Sequence, residues 1–439
     1  MDNRTLFTLL ASTFVAHTTL ADQPEAPAAL NVQSEIDELR SEINDYRSSL
    51  GTMTISEQRA ASIRDLVADT LADAGSRTSL QHSDEPTFPS KWNSIETRDG
   101  NFSLNTSFYA QIDWIYNNRG NQQTDGSAWG IGIRRCRLNF SGHVIDPTWN
   151  YFVRLSFGSD GTGSVGAAYI EKDLGEGWSM QAGLLFAVFS LEEDISNTEE
   201  LGADLSFVAG QFDTELVNGV LAHYEADDYR FWLTYSNGAR QVDVDPLKNN
   251  MQGVLFRGEY KFFGNWDDLY DFNPQPDNTD PGLMLGAGAT YNWGNYDSAN
   301  PNPNDRVFGP ETYLTADLTW QMPGFSIMSC AYYQDSPNAG NFGGTRWAGV
   351  GQITGFVLPR LQLYARGEWG TIRNSDQNDI RVLTVGTSFY PNKSSNVKIS
   401  AEFIQTWGST LYWELDGNLG FINTEANQSI FRTQLQVAF

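Results

Sequence analysis

The chain has 439 residues, a net charge of −26 and a mean hydropathy of −0.40, yet aromatic residues make up 13% of it. So acidic a chain lacks the positive charge that a nucleic-acid partner requires, and that class is excluded. Many aromatics with few long apolar runs argue against a compact soluble core. They suit strands in which apolar and polar residues alternate, with aromatics girdling a bilayer.

The N-terminus reads as an export signal over residues 1–21. Arg4 gives a thin basic region, LFTLLASTFVA an apolar core and T-L-A before Asp22 a small-residue cleavage site. No later stretch is apolar for long enough to form a membrane-spanning helix. After a linker at 22–31 the period becomes heptad, with Val32, Ile36, Leu39, Ile43, Tyr46 and Leu50 on one stripe. T-I-S-E at 54–57 is a capping box, and Ile63, Val67 and Leu71 form the stripe of a second helix stopped by Gly75. HSDEPTFPS, 82–90, reads as a further linker. Residues 22–90 are therefore expected to be a linker and helical, coiled-coil segment in the periplasm, with 32–74 offering a contact to the cell wall.

From about residue 101 the period is two. SLNTSFYAQIDWIYNN places Leu104, Phe108, Ala110, Ile112 and Trp114 on one face, with Asn105, Ser107, Gln111 and Asp113 on the other. Similar runs start near Arg135, Trp149, Gly166, Trp178, Leu216, Tyr229, Gly253, Leu283, Thr312, Ser326, Trp347, Leu361, Ile380, Val397 and Ser429, which makes sixteen strands. In lipid every backbone amide needs an internal partner, so an array of this kind must close on itself. The expected fold is an all-β, 16-stranded antiparallel transmembrane barrel over 91–439, its last strand (428–439) paired with its first. Short turns are expected on one rim, and long loops, including 265–282 and 296–311, on the other.

Such a barrel is too wide for side chains to fill, so water enters. Parity places Asp113, Arg135, Arg137, Arg154, Arg230, Arg257, Glu259, Lys261, Asp317, Arg366, Glu368, Lys398, Glu402 and Arg432 in the lumen. Arg134 has the opposite parity and must lie near a rim or beside a bulge. Arg134, Arg135, Arg137 and Arg154 are the candidate anion-attracting patch. The segment 190–209 carries Glu192, Glu193, Asp194, Glu199, Glu200 and Asp204 with no Lys or Arg. Folded inward, it would narrow the channel and face the arginine wall with opposite charge, setting a transverse field across the constriction.

Patterns for other chemistry are poor. The four histidines show no metal-ligand spacing, and no nucleophile or phosphate-loop motif is found, so neither an enzyme nor a cofactor is expected. Cys136 and Cys330 are too few for a disulfide framework. GSDGTGSVG, 158–166, reads as a turn.

RRCRLNFSG (134–142) resembles the arginine-rich second strand of the phosphate-selective porin O and P family. AYIEKDLGEGWSMQAGLLFAVFSLEE (168–193) is similar to that family's strand–turn–strand before its third loop. The resemblance covers roughly 100–439. It implies a homotrimer of sixteen-stranded channels in the outer membrane, in contact with its lipid and passing small anions, with Arg134, Arg135 and Arg137 as anion contacts. No comparable ladder of basic residues appears elsewhere and the third-loop region is acidic, so a weakly selective or cation-preferring pore stays open beside an anion-selective one. The expected function is a porin for passive diffusion of small hydrophilic solutes or ions, phosphate among them. The alternative is a barrel-anchored structural tether that holds the cell wall through its coiled coil.

Overall fold

The computed structural model describes residues 40–41, 86–87, 93–118, 126–159, 161–214, 216–238, 252–277, 279–294, 310–336, 344–373, 379–408, 410, 413, 420–422 and 426–439. The expected signal peptide, and the helical segment apart from the helical pair Arg40 and Ser41, lie outside the described residues. Inside the expected linker, Pro86–Thr87 forms a short strand that pairs with Ser94–Thr97.

Sixteen antiparallel strands follow: β1 (Ser103–Asn118), β2 (Ser127–His143), β3 (Trp149–Phe157), β4 (Gly163–Gly175), β5 (Trp178–Phe186), β6 (Leu216–Glu225), β7 (Tyr229–Ser236), β8 (Gln252–Phe263), β9 (Gly282–Trp293), β10 (Glu311–Met322), β11 (Phe325–Ser336), β12 (Gly344–Leu358), β13 (Leu361–Ile372), β14 (Ile380–Phe389), β15 (Val397–Gly408) and β16 (Ser429–Ala438). Each pairs with the next in sequence. β16 pairs with β1 from Ser429↔Asn118 to Ala438↔Tyr109, which closes the barrel. Phe439 completes the seam: its N–H donates to the Phe108 carbonyl at 3.0 Å, its carbonyl accepts from Phe108 N–H at 2.8 Å, and the two rings lie 5.2 Å apart. Closure leaves no strand edge to invite foreign pairing.

The outer face is apolar: Phe256, Leu285, Leu314, Leu363, Phe403 and Leu435 are exposed, as the alternation requires. Exposed aromatics gather at both ends of the strands. Trp149, Trp178, Tyr229, Trp320 and Phe439 lie toward one rim, and Trp129, Tyr235, Tyr291, Trp347 and Trp407 toward the other. That is the arrangement of a bilayer-spanning barrel, in which rings with a polar edge settle at the headgroups.

Two expectations need correction. The second strand starts at Ser127, not near Arg135. Its first half, SAWGIGI, interleaves glycine with apolar residues and shows no polar face to read. Loop 264–281 joins β8 to β9 on the same rim as the short turns 176–177, 226–228 and 323–324, not on the long-loop rim. Strand direction alternates strictly, so a loop's rim follows from its place in the order and not from its length.

Candidate lumen site

The chain leaves β5 and, over residues 187–214, folds into the barrel. Two short helical turns, α1 (Leu191–Asp194) and α2 (Ala209–Phe212), frame it. Phe189, Leu191, Leu201, Phe207, Val208 and Phe212 are almost fully buried and pack on inward-facing wall residues including Leu255, Met284, Tyr332 and Val382. Phe212 stacks on Tyr332 at 5.1 Å, and Phe207 lies 4.9 Å from Phe421. Burying a side chain of this size contributes roughly 1.5–3 kcal/mol, so the loop is held firmly, with contacts that run along the wall from Arg257 on β8 round through β16 to Arg135 on β2. Close approach fixes its start. At Gly288 a Cβ would lie 2.3 Å from the Phe189 carbonyl oxygen, a contact only glycine permits.

A buried loop must satisfy its backbone, and the wall supplies the donors. Arg366 donates to the carbonyls of Leu201 and Asp204, each at 3.0 Å. Lys398 donates to the Glu200 carbonyl at 2.7 Å, and Gln434 to that of Ala203 at 2.7 Å. Glu402 accepts from Ala203 N–H at 3.4 Å while Tyr364 and Arg432 each donate to it at 2.7 Å.

The six loop carboxylates divide by role. Glu192 accepts from the N–H and hydroxyl of Ser206, both at 2.8 Å, and Glu193 accepts from Thr214 N–H at 3.0 Å, so these two staple the loop to itself. Asp204 and Glu200 bind the arginine wall. Arg134 Nε lies 2.5 Å and Arg135 Nη2 2.9 Å from Asp204, and Arg135 Nη1 lies 3.1 Å from Glu200. Arg432 approaches Asp204 at 3.8 Å. Burial alone would push the Asp204 carboxyl up; the guanidinium groups of Arg134, Arg135 and Arg432 outweigh it and hold the carboxyl well below the usual range. Glu200 is pushed up by burial, despite Arg135. Asp194 is pushed up to about 6 by burial and by Glu259, against Arg257 and Arg230. Glu199 accepts from loop 264–281 through its main-chain carbonyl.

The expected transverse field is therefore corrected. The acidic loop and Arg134 and Arg135 touch and neutralise one another; they do not face each other across water. A bulge makes this possible. Gln111 pairs with Arg135 and Ile112 with Ile133, so Arg134 is the extra residue of β2 and its side chain reaches Asp204 beside its neighbour's.

Arg137 and Arg154 differ. Arg137 donates to the Asn197 side chain, and Arg154 donates to Asn139 at 2.9 Å and lies over the rings of Phe152 and Phe186. Neither has a carboxylate within ion-pair distance among the described residues. Register pairs Arg154 with Asn139, two residues along β2 from Arg137, so the two cations are diagonal neighbours on the wall. Both are only partly buried, whereas Arg257 and Arg366 are enclosed in contacts. Arg366, Lys398, Glu402 and Arg432 were placed in the lumen by parity; their part in holding the loop has no sequence signal, because a carbonyl acceptor leaves none.

No protein-family model and no curated protein matches the chain. Solved structures do. An anion-selective porin from Comamonas acidovorans superposes with a TM-score of 0.53 at 11% identity, covering 77% of this chain and 100% of that one. OmpT, an outer-membrane protein of Vibrio cholerae, gives 0.51 at 13% identity over 77% of this chain and 98% of its own. The outer-membrane channel DcaP of Acinetobacter baumannii gives 0.50 at 11% identity over 78% and 99%. The chain has a porin fold. These likenesses do not single out the phosphate-selective family.

Proposed function

We infer that the chain is an outer-membrane porin that lets small hydrophilic solutes diffuse passively past the inward loop, with a preference for anions, phosphate among them. The observation that carries the preference is the pair Arg137 and Arg154, two lumen guanidinium groups with no carboxylate partner among the described residues, while Arg134, Arg135, Arg257 and Arg432 are compensated. Uncompensated fixed charge on a pore wall sets ion preference; a neutralised pair does little. Of the four arginines expected to meet anions, Arg137 and Arg154 remain available in the passage. Arg134 and Arg135 shape it by holding the loop.

The setting in the outer membrane is supported by the apolar outer face, and assembly as a homotrimer by the trimer form in which OmpT of Vibrio cholerae is known. No chemistry beyond passage is required, and the chain is read as a channel and not an enzyme. The test is reversal potential across a planar bilayer under a KCl gradient. The wild type should reverse on the anion side, and Arg137→Ala with Arg154→Ala should move it toward cations. An unmoved potential takes the pair out of the pathway.

A further inference from the structure

Loop 264–281 does not hang below its rim. Its helical turn α3 (Trp266–Leu269) is capped by Asn265, whose side chain accepts from Asp267 N–H at 3.2 Å, and Leu269 is fully buried. Beyond α3 the chain runs into the lumen. Tyr270 donates to Glu259 at 2.5 Å, and Phe272 and Asn273 are buried. There it meets the other loop, which entered from the opposite rim. Phe272 N–H donates to the Glu199 carbonyl at 3.2 Å, and Asn273 Nδ2 donates to the same carbonyl at 2.8 Å and to that of Glu200 at 3.4 Å. Tyr390, in the turn after β14, donates to Asn273 Oδ1 at 2.7 Å. Both rims thus send a loop to one point inside the barrel.

We propose that loop 264–281 is a gate of the passage, worked from the short-turn rim, which closes by docking Asp271–Asn273 on the Glu199–Glu200 turn of the inward loop 187–214. This rests on the reading of the chain as a channel. The polar part of the dock is three hydrogen bonds to main-chain carbonyls, joined by the Tyr390 hydroxyl on Asn273 and by the burial of Phe272. Its charges add a control. Asp271 comes close to Glu199, and burial together with Glu199 pushes the Asp271 carboxyl well above the usual range. The charged and titratable groups around it are Glu199 and Glu200 on the facing loop, Lys398 on β15, and the Tyr390 hydroxyl. Lys398 donates to the Glu200 carbonyl, and Glu200 is itself paired with Arg135. Asp277 and Lys393 form a further pair at the rim. A carboxyl whose value is raised in the docked state favours docking when protonated. As pH rises through that value, Asp271 gains a charge in a buried place beside Glu199, and the dock loosens.

The test is single-channel recording of the full chain at pH 5 and pH 9, with Asp271→Asn and Asn273→Ala beside the wild type. The wild type should spend more time open at pH 9. Asp271→Asn should remove that dependence, and Asn273→Ala should raise the open fraction severalfold at both pH values. Amide exchange over 269–274 reads the same event without conduction, and it should slow at pH 5 once the intrinsic pH effect is removed. A wild type that conducts with the same dwell times in both variants, and the same corrected exchange, overturns the gate alone. A chain silent in every form, with either loop shortened, contradicts the channel reading and the gate with it.

Discussion

Arg134 and Arg135 are consecutive in the chain, yet their guanidinium groups close on the same carboxylate, Asp204, at 2.5 and 2.9 Å. In a regular strand they would point to opposite faces of the wall. The bulge in β2 turns a lipid-facing position into a lumen-facing one and concentrates two cations on the inward loop. One anchor of the inward loop is thus a local irregularity of the barrel.

Asp204→Asn should release this latch. Breaking a buried ion pair from one side costs about 3–5 kcal/mol, because the abandoned charges stay buried. The loop should become cleavable by protease over 190–209 while the barrel stays folded, and single-channel conductance should rise. Protection equal to that of the wild type would show that the apolar packing of Phe207 and Phe212 holds the loop unaided.

Gly288→Val tests the loop's other foot. The added carbon would fall 2.3 Å from the Phe189 carbonyl, so the start of the loop must move. An altered conductance with an unchanged barrel signature in circular dichroism is expected. An unchanged conductance would place this foot outside the pathway.

The pH response of the loop has a defined sign. The Asp194 carboxyl is raised from 3.8 to about 6, so the native state holds a proton that the unfolded chain loses earlier. The stability it contributes is complete below the ordinary value and is lost as pH rises through about 6. Asp204 runs the other way: its carboxyl is held down, and its contribution is lost as pH falls. In Asp194→Asn the decline in loop protection between pH 4 and pH 6 should vanish. A decline of wild-type size in that variant would assign it to another group.

The seam offers a simpler check. Phe439→Ala removes a ring contact worth about 0.5–1.5 kcal/mol while keeping both backbone bonds to Phe108. The unfolding temperature in detergent should fall by a few degrees, and an unchanged value would make the seam a backbone affair alone.

Much of this was legible in the sequence because strand parity is local. Arg257, Asp317, Arg366 and Glu402 fall inward from alternation alone, and the closing partnership of 428–439 with the first strand follows from the need to leave no edge in lipid. The loop 190–209 was marked by its carboxylates. Their destinations were not legible. Whether Asp204 meets Arg134 or faces it across water depends on the path of a loop and on one inserted residue, neither of which has a period. The length and polarity of loop 264–281 resemble those of the loops on the opposite rim, so composition points to the wrong rim. Its buried Leu269 and Phe272 were the residues that could have marked it as an inward segment.

The central claim, that this barrel encloses a wetted passage, is met most directly by liposome swelling with the purified full chain and a size series of uncharged sugars. The account predicts swelling that slows steeply with solute size and quickens for the larger sugars when residues 190–209 are shortened. Vesicles that do not swell with any solute, from protein shown to be folded and inserted, would contradict it.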